Sequence, residues 1–162
     1  MNLEEKIGKF LTDNNLTIST VESCTGGLLS SRLTDVSGSS AYITLNLVTY
    51  ANEAKNHILG VSKEILETKG AVSPECAEAM AKGLYNLTKS DICVSTTGIA
   101  GPTGGSPDKP VGLMYSAIHT PENCIVNKII LNPDTPRKEM KYQFTEEALK
   151  RLLEYLTQGI RV

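Results

Sequence analysis

Tryptophan is absent from the 162 residues, and phenylalanine occurs only twice. Aromatics make up 5% of the chain, so stacking platforms for nucleic-acid bases are scarce. No excess of positive charge compensates. The formal net charge is −2, and no Lys/Arg run stands out. Nucleic-acid binding is therefore not expected. No apolar run approaches the roughly 20 residues that span a bilayer, so no membrane association is expected. The four cysteines, Cys24, Cys76, Cys93 and Cys124, form no CxxC pair, and a zinc site is not expected. Only two histidines exist, His57 and His119, and no Ser-His-Asp set is evident. The first residues, Met1-Asn2-Leu3-Glu4-Glu5-Lys6, do not read as a secretory signal. The expected compartment is cytoplasmic, with reduced thiols.

What remains is a globular composition, 40% hydrophobic and 21% charged. A domain of this size buries about 70% of its unfolded surface, so it needs no disulfide or metal to hold a core. One domain is expected over residues 1–162. Leu3, Ile7, Phe10 and Leu11 recur at helical spacing. Residues 16–21 and 42–50 are β-branched and apolar and read as strands. Residues 28–33 and 52–59 read as helices, with Asn52 a candidate cap and Gly60 just past the second. Ser62 opens another short helix. Ser73-Pro74-Glu75 combines a capping hydroxyl, a first-turn proline and an acid, which predicts a helix to about Leu87. Residues 91–97, 112–119 and 124–131 read as strands, and 135–157 as a last helix. Interleaved helices and strands with two consecutive strands near the end predict an α/β fold, layered around a mixed sheet.

Three segments carry chemistry. The first, Glu22-Ser23-Cys24-Thr25-Gly26-Gly27, joins a strand to a helix. Such turns expose side chains at the carboxyl end of a sheet, and the helix start offers unpaired N–H groups. A hydroxyl there can attack a carbonyl while backbone donors hold the oxyanion. Ser23 or Thr25 could equally be a simple helix cap. Cys24 is a rival nucleophile, since a helix start lowers a thiol pKa. Neighbours on a turn point in different directions, and residue order alone does not choose between Ser23 and Cys24.

The second segment runs from Thr49 through Tyr50 and Asn52 to Lys55. A serine is inert until something removes its proton, and a buried lysine can do so. Tyr50 could relay a proton or orient that lysine. His57, two residues on, faces elsewhere. The third segment, residues 96–112, is far longer than a turn needs and contains Gly98, Gly101, Gly104 and Gly105. Its glycines and hydroxyls suit an anion, most plausibly a phosphate. It lacks the GKS/GKT ending of a P-loop and the GxGxxG fingerprint.

The order ESCTGG, VTYANEAK, GAVS and STTGIAGPTGGSPDKPVG resembles the CinA C-terminal-domain family of nicotinamide-nucleotide amidases. The resemblance implies a three-layer α/β/α sandwich with a mixed, mostly parallel sheet. It implies hydrolysis of nicotinamide mononucleotide to nicotinate mononucleotide and ammonia. It maps a catalytic set onto Ser23 as nucleophile, Lys55 as base, and Tyr50 as the residue that positions or relays between them. Substrate contacts are implied for Thr25, Gly26, Gly27, Asn52, Thr97, Gly98, Gly101, Gly104, Gly105 and Arg137. No metal or cofactor is implied, the partner is a small nucleotide substrate, and a homodimer is expected. Some family members add an N-terminal domain, for which these residues are too few. A catalytically silent nucleotide- or partner-binding module of the same fold is the alternative, and a different small amide is a third reading. One departure concerns the last helix, where several arginines are expected. Arg137 is retained and Lys141 keeps the charge, but Tyr142 stands in place of an arginine. Arg32 is expected on the surface, with an anion contact as its alternative.

Overall fold

The computed structural model describes residues 1–158. The last four residues of the expected 1–162 domain lie outside the described residues. The elements are α1 (Leu3–Asp13), β1 (Ile18–Glu22), α2 (Leu28–Thr34), a 3-10 turn (Ser39–Ala41), β2 (Ile43–Val48), α3 (Asn52–Leu59), α4 (Lys63–Thr68), α5 (Pro74–Thr88), β3 (Ile92–Gly98), β4 (Leu113–His119), β5 (Cys124–Ile130) and α6 (Arg137–Gln158).

The five strands form one sheet in the order β2-β1-β3-β4-β5. β1 pairs in parallel with both β2 and β3. β4 runs antiparallel to β3, and β5 antiparallel to β4. One face carries α1, α2 and α6; the other carries α3, α4 and α5. This is the expected three-layer mixed α/β arrangement. The period-2 alternation of the strands supplies both cores. Ile18, Val94, Met114 and Ile118 pack with Leu29, Leu33, Phe144 and Leu152 on the α6 side. Val21 and Cys93 pack with Leu59, Met80 and Leu84 on the α5 side.

Local signals set the boundaries. The Asn2 side chain and Glu5 form a reciprocal capping box on α1. Ser62 accepts from Ile65 N, and Ser73 accepts from Cys76 N with Pro74 at the first position of α5. Gly60 ends α3 at a φ of 73°, the left-handed region that glycine enters without strain. Two expectations need correction. Asn52 is not a cap: it is the first residue of α3, and Ala51 precedes it with no side-chain bond. The second strand stops at Val48; Thr49 N still donates to Glu22 O, while the Thr49 and Tyr50 carbonyls accept from Lys55.

Candidate active site

The chain leaves β1 at Glu22. Consecutive side chains at a strand end point to opposite faces. Glu22 therefore enters the α2 layer, Ser23 faces α3, and Cys24 returns to the α2-side core. Ser23 N–H donates to Thr96 O at 3.0 Å, which extends the β1–β3 pairing by one residue. Ser23 is 9% exposed and lines a crevice.

Lys55 reaches back from the first turn of α3. It is 1% exposed. Its Nζ donates to Thr49 O at 2.8 Å, Tyr50 O at 2.9 Å and Ser23 Oγ at 3.0 Å. Among the described residues no carboxylate forms an ion pair with it. Burial disfavours the ammonium, and the Lys55 pKa is lowered from the ordinary lysine value. Cys24 shows the opposite response. Burial, reinforced by the negative charge of Glu22, pushes its thiol up to about 12. A helix start lowers a thiol pKa only where its positive end is free, and here Glu22 occupies it. At neutral pH Cys24 is a thiol, and although it also lines the crevice, Ser23 alone of the pair is hydrogen-bonded to Lys55.

Ser23 and Lys55 open into a cavity of about 270 Å³. Gly98, Ile99, Ala100, Gly101, Thr103 and Gly104 form one wall, and Ala71 and Val72 another. Thr97 Oγ1 donates to Ala71 O at 2.7 Å and ties the two walls together. Arg137 closes the rim. Its Nη1 donates to Gly101 O at 2.7 Å and its Nη2 to Tyr50 Oη at 3.2 Å. Larger hollows lie elsewhere, including one between α3 and α4, but they hold neither the serine nor the buried lysine.

The family model of the CinA C-terminal domain matches residues 1–156. The chain belongs to that family. It is 46% identical over 163 residues to a CinA-like protein of Chlorobium limicola, covering 98% of this chain and 38% of that relative. The chain spans 37–38% of the length of such curated relatives. The crystal structure of the competence/damage inducible protein CihA from Agrobacterium tumefaciens is similar with a TM-score of 0.91. That pair is 41% identical, over 96% of this chain and 94% of that one. The competence damage-inducible protein A (ComA) from Klebsiella pneumoniae is similar with a TM-score of 0.92 at 28% identity, over 98% and 97% of the two chains.

Within this CinA-family fold, Ser23, Tyr50, Lys55, Thr97, Gly98, Gly101, Gly104 and Arg137 come together as cavity lining. Five expected contacts do not line it. Thr25 is fully buried, and its hydroxyl is bound to Glu22 and Thr96. Gly27 gives its N–H to Glu22, and Gly26 packs beside Lys141. Gly105 is pressed against Val111 inside its own loop. Asn52 faces the α3–α4 hollow with His57 and Lys63. The helix-start donors expected for the oxyanion are therefore spent on a carboxylate of the chain itself.

Tyr50 meets Lys55 through its backbone. Its carbonyl, not its phenol, touches Lys55, and its ring is 60% exposed and held by Arg137. No phenol stands between Ser23 and Lys55, whose direct contact leaves no place for one. Arg32 is neither a surface residue nor an anion site. It is buried between α1 and α6, donating to Glu4 at 2.9 Å, Glu146 at 2.7 Å and Thr145 at 3.1 Å. Tyr142 lies over its guanidinium at 4.6 Å, away from the cavity. His119 stacks on Tyr85 at the opposite end of the sheet.

Sequence reasoning missed Glu22. Its signal was legible: α2 follows directly on Gly27, which has no side chain to cap it. It also left Ala71 and Val72 unassigned, although they lie in the quoted GAVS segment.

Proposed function

We propose that this domain hydrolyses a carboxamide, that of nicotinamide mononucleotide, with Ser23 as nucleophile and Lys55 as general base. The observation that carries the reading is the 3.0 Å contact between Ser23 Oγ and a buried Lys55 Nζ that pairs with no carboxylate among the described residues. A neutral amine has two N–H bonds and one lone pair. The Thr49 and Tyr50 carbonyls accept the two N–H bonds. The lone pair is then aimed at Ser23 Oγ and takes its proton.

Ser23 Oγ attacks the carboxamide carbon as Lys55 becomes an ammonium. The tetrahedral intermediate collapses, the C–N bond breaks, and Lys55 protonates the departing nitrogen, which leaves as ammonia. Water then attacks the acyl-enzyme, Lys55 takes a proton from it, and that proton returns to Ser23 Oγ as the acid is released. One amide and one water give one acid and one ammonia. Arg137 at the rim and the hydroxyl-bearing glycine loop suit an anionic substituent beyond the reacting ring.

Ammonia release from nicotinamide mononucleotide tests this. Ser23→Ala is expected to lower kcat by roughly 10⁴-fold or more, with the circular dichroism spectrum retained. Unchanged turnover in that variant would remove Ser23 from the mechanism. Binding of the mononucleotide without ammonia release by the unaltered protein would favour the binding-module alternative. Free nicotinamide and a panel of other small amides, scored in the same assay, test the substrate.

A further inference from the structure

The proposed reaction leaves Glu22 unused, although it is fully buried and adjoins the nucleophile. Its carboxylate is saturated. Oε1 accepts from Thr25 Oγ1 at 2.6 Å, Leu29 N at 2.8 Å and Gly27 N at 3.2 Å. Oε2 accepts from Ser30 N at 2.9 Å and from the Ser30 hydroxyl. These donors are the opening N–H groups of α2 and two side chains of the same turn and helix.

We propose that Glu22 is a positioning residue for Ser23: it caps α2 from upstream and closes residues 23–27 into a rigid turn that holds Ser23 Oγ against Lys55 Nζ. The proposal rests on Ser23 being the nucleophile. Helix starts leave N–H groups unpaired and carry partial positive charge. An ordinary cap is the residue just before the helix, but Gly27 has no side chain to serve. The cap here arrives from the last residue of β1, on the far side of the nucleophile. Every bond from Glu22 to α2 therefore clamps the segment between them. Gly26 and Gly27, at φ of 61° and 102°, let the backbone double back so tightly. Gly26 N donates to Ser23 O at 3.1 Å, and Thr25 is tied to Thr96 on β3 at 2.8 Å. The Glu22 carbonyl accepts from Thr49 N at 2.9 Å, which joins the same residue to the segment whose carbonyl holds Lys55. Ser23 is thus fixed on both sides along the chain and across both neighbouring strands.

Gln in place of Glu22 keeps the volume but turns one acceptor into an N–H₂ group facing N–H donors. Asp keeps the charge but is one methylene too short. A role confined to stabilising α2 would lower the melting temperature and leave the reactivity of each folded molecule unchanged. A positioning role lowers that reactivity.

The test uses the whole chain and a fluorophosphonate, which labels an activated serine with loss of fluoride. Labelling of the Ser23 peptide is followed by mass spectrometry against pH, well below the melting temperature of each variant. Glu22→Gln is expected to slow labelling about 10- to 100-fold, the scale of a misplacement near 1 Å. The inflection pH should stay unchanged, because the carbonyls around Lys55 are untouched. With nicotinamide mononucleotide, kcat should fall while KM holds. Labelling of folded Glu22→Gln at the rate of the unaltered protein would overturn the proposal. Should that variant fail to fold, Ser30→Ala removes a single hydroxyl donor. It is expected to slow labelling by a smaller factor, and the unaltered rate there would overturn the proposal equally. If the unaltered chain is labelled at Ser23 yet releases no ammonia, the amide reading fails alone, and the labelling comparison still decides the role of Glu22.

Discussion

A lysine sealed from water without a carboxylate can find acceptors or shed its proton. Lys55 has two carbonyls and one hydroxyl as acceptors, and burial still lowers its pKa. The rate should therefore rise with pH to a plateau whose inflection lies below the ordinary lysine value. A profile of kcat/KM against pH measures it. Lys55→Met keeps most of the volume and removes the proposed base. It is expected to lower kcat by about 10²- to 10⁴-fold. Retention of full activity would exclude Lys55 as the base. Ser23 and Lys55 were legible as candidates because nucleophile and base chemistry restricts residue types. That Tyr50 holds Lys55 through its carbonyl was not legible, because residue type does not say whether a position acts through its side chain or its backbone. Cys24 and Ser23 could not be separated until burial and the Glu22 charge were known.

Helix α2 is only seven residues long, too short to be stable alone, and its ends and one face are held by other elements. Glu22 holds the start. Arg32 holds the face, linking α2 to Glu4 on α1 and to Thr145 and Glu146 on α6. Glu4 is buried with it, whereas the Glu146 side chain is one-third exposed, so Glu4 is the carboxylate that depends on Arg32 for a partner. Arg32→Ala would strand the Glu4 carboxylate in the interior. The expected loss is about 3–5 kcal/mol in urea unfolding at neutral pH. An unchanged midpoint would show that Glu4 finds water in the variant. Glu4→Gln added to Arg32→Ala should recover part of the loss, since an uncharged side chain is cheaper to leave there. Element ends were legible where capping chemistry is local, at Ser62, Ser73 and Gly60. The burial of Arg32 was not, because a short helix shows too few turns to reveal which face meets the core.

At the scale of the molecule, the sheet order places β1 between β2 and β3, so the connection from β1 to β2 and the one from β2 to β3 run in opposite directions along the sheet. Ligands in α/β folds bind at such a switch point, beyond the carboxyl ends of the strands. Ser23 at the end of β1 and Gly98 at the end of β3 meet there. The alternation of elements predicted the layers, but strand order depends on long-range pairing that no local pattern encodes. Placing a lysine at that crevice has a global consequence. Below the folded-state pKa of Lys55, folded and unfolded chains both carry the proton, and the cost of burying the charge is fully present. Between that value and the unfolded value the unfolded chain binds more protons, so stability rises with pH. Above the unfolded value the cost is gone. The cysteines act in the opposite sense. Cys24, raised to about 12, and Cys76, Cys93 and Cys124, raised to about 11, keep protons that the unfolded chain gives up above 9. Comparison with Lys55→Met separates the two. The Cys93 and Cys124 contributions are common to both proteins. The Lys55 charge lowers Cys24 and Cys76, so its loss raises them further and deepens the variant's alkaline loss, in the same direction. The carbonyls left without a donor in the variant add an offset that does not depend on pH. Chemical unfolding across the alkaline range is therefore expected to show the unaltered protein gaining stability relative to Lys55→Met as pH rises. A constant difference would mean that Lys55 binds its proton as tightly folded as unfolded, and the crevice would then hold an ammonium rather than a base.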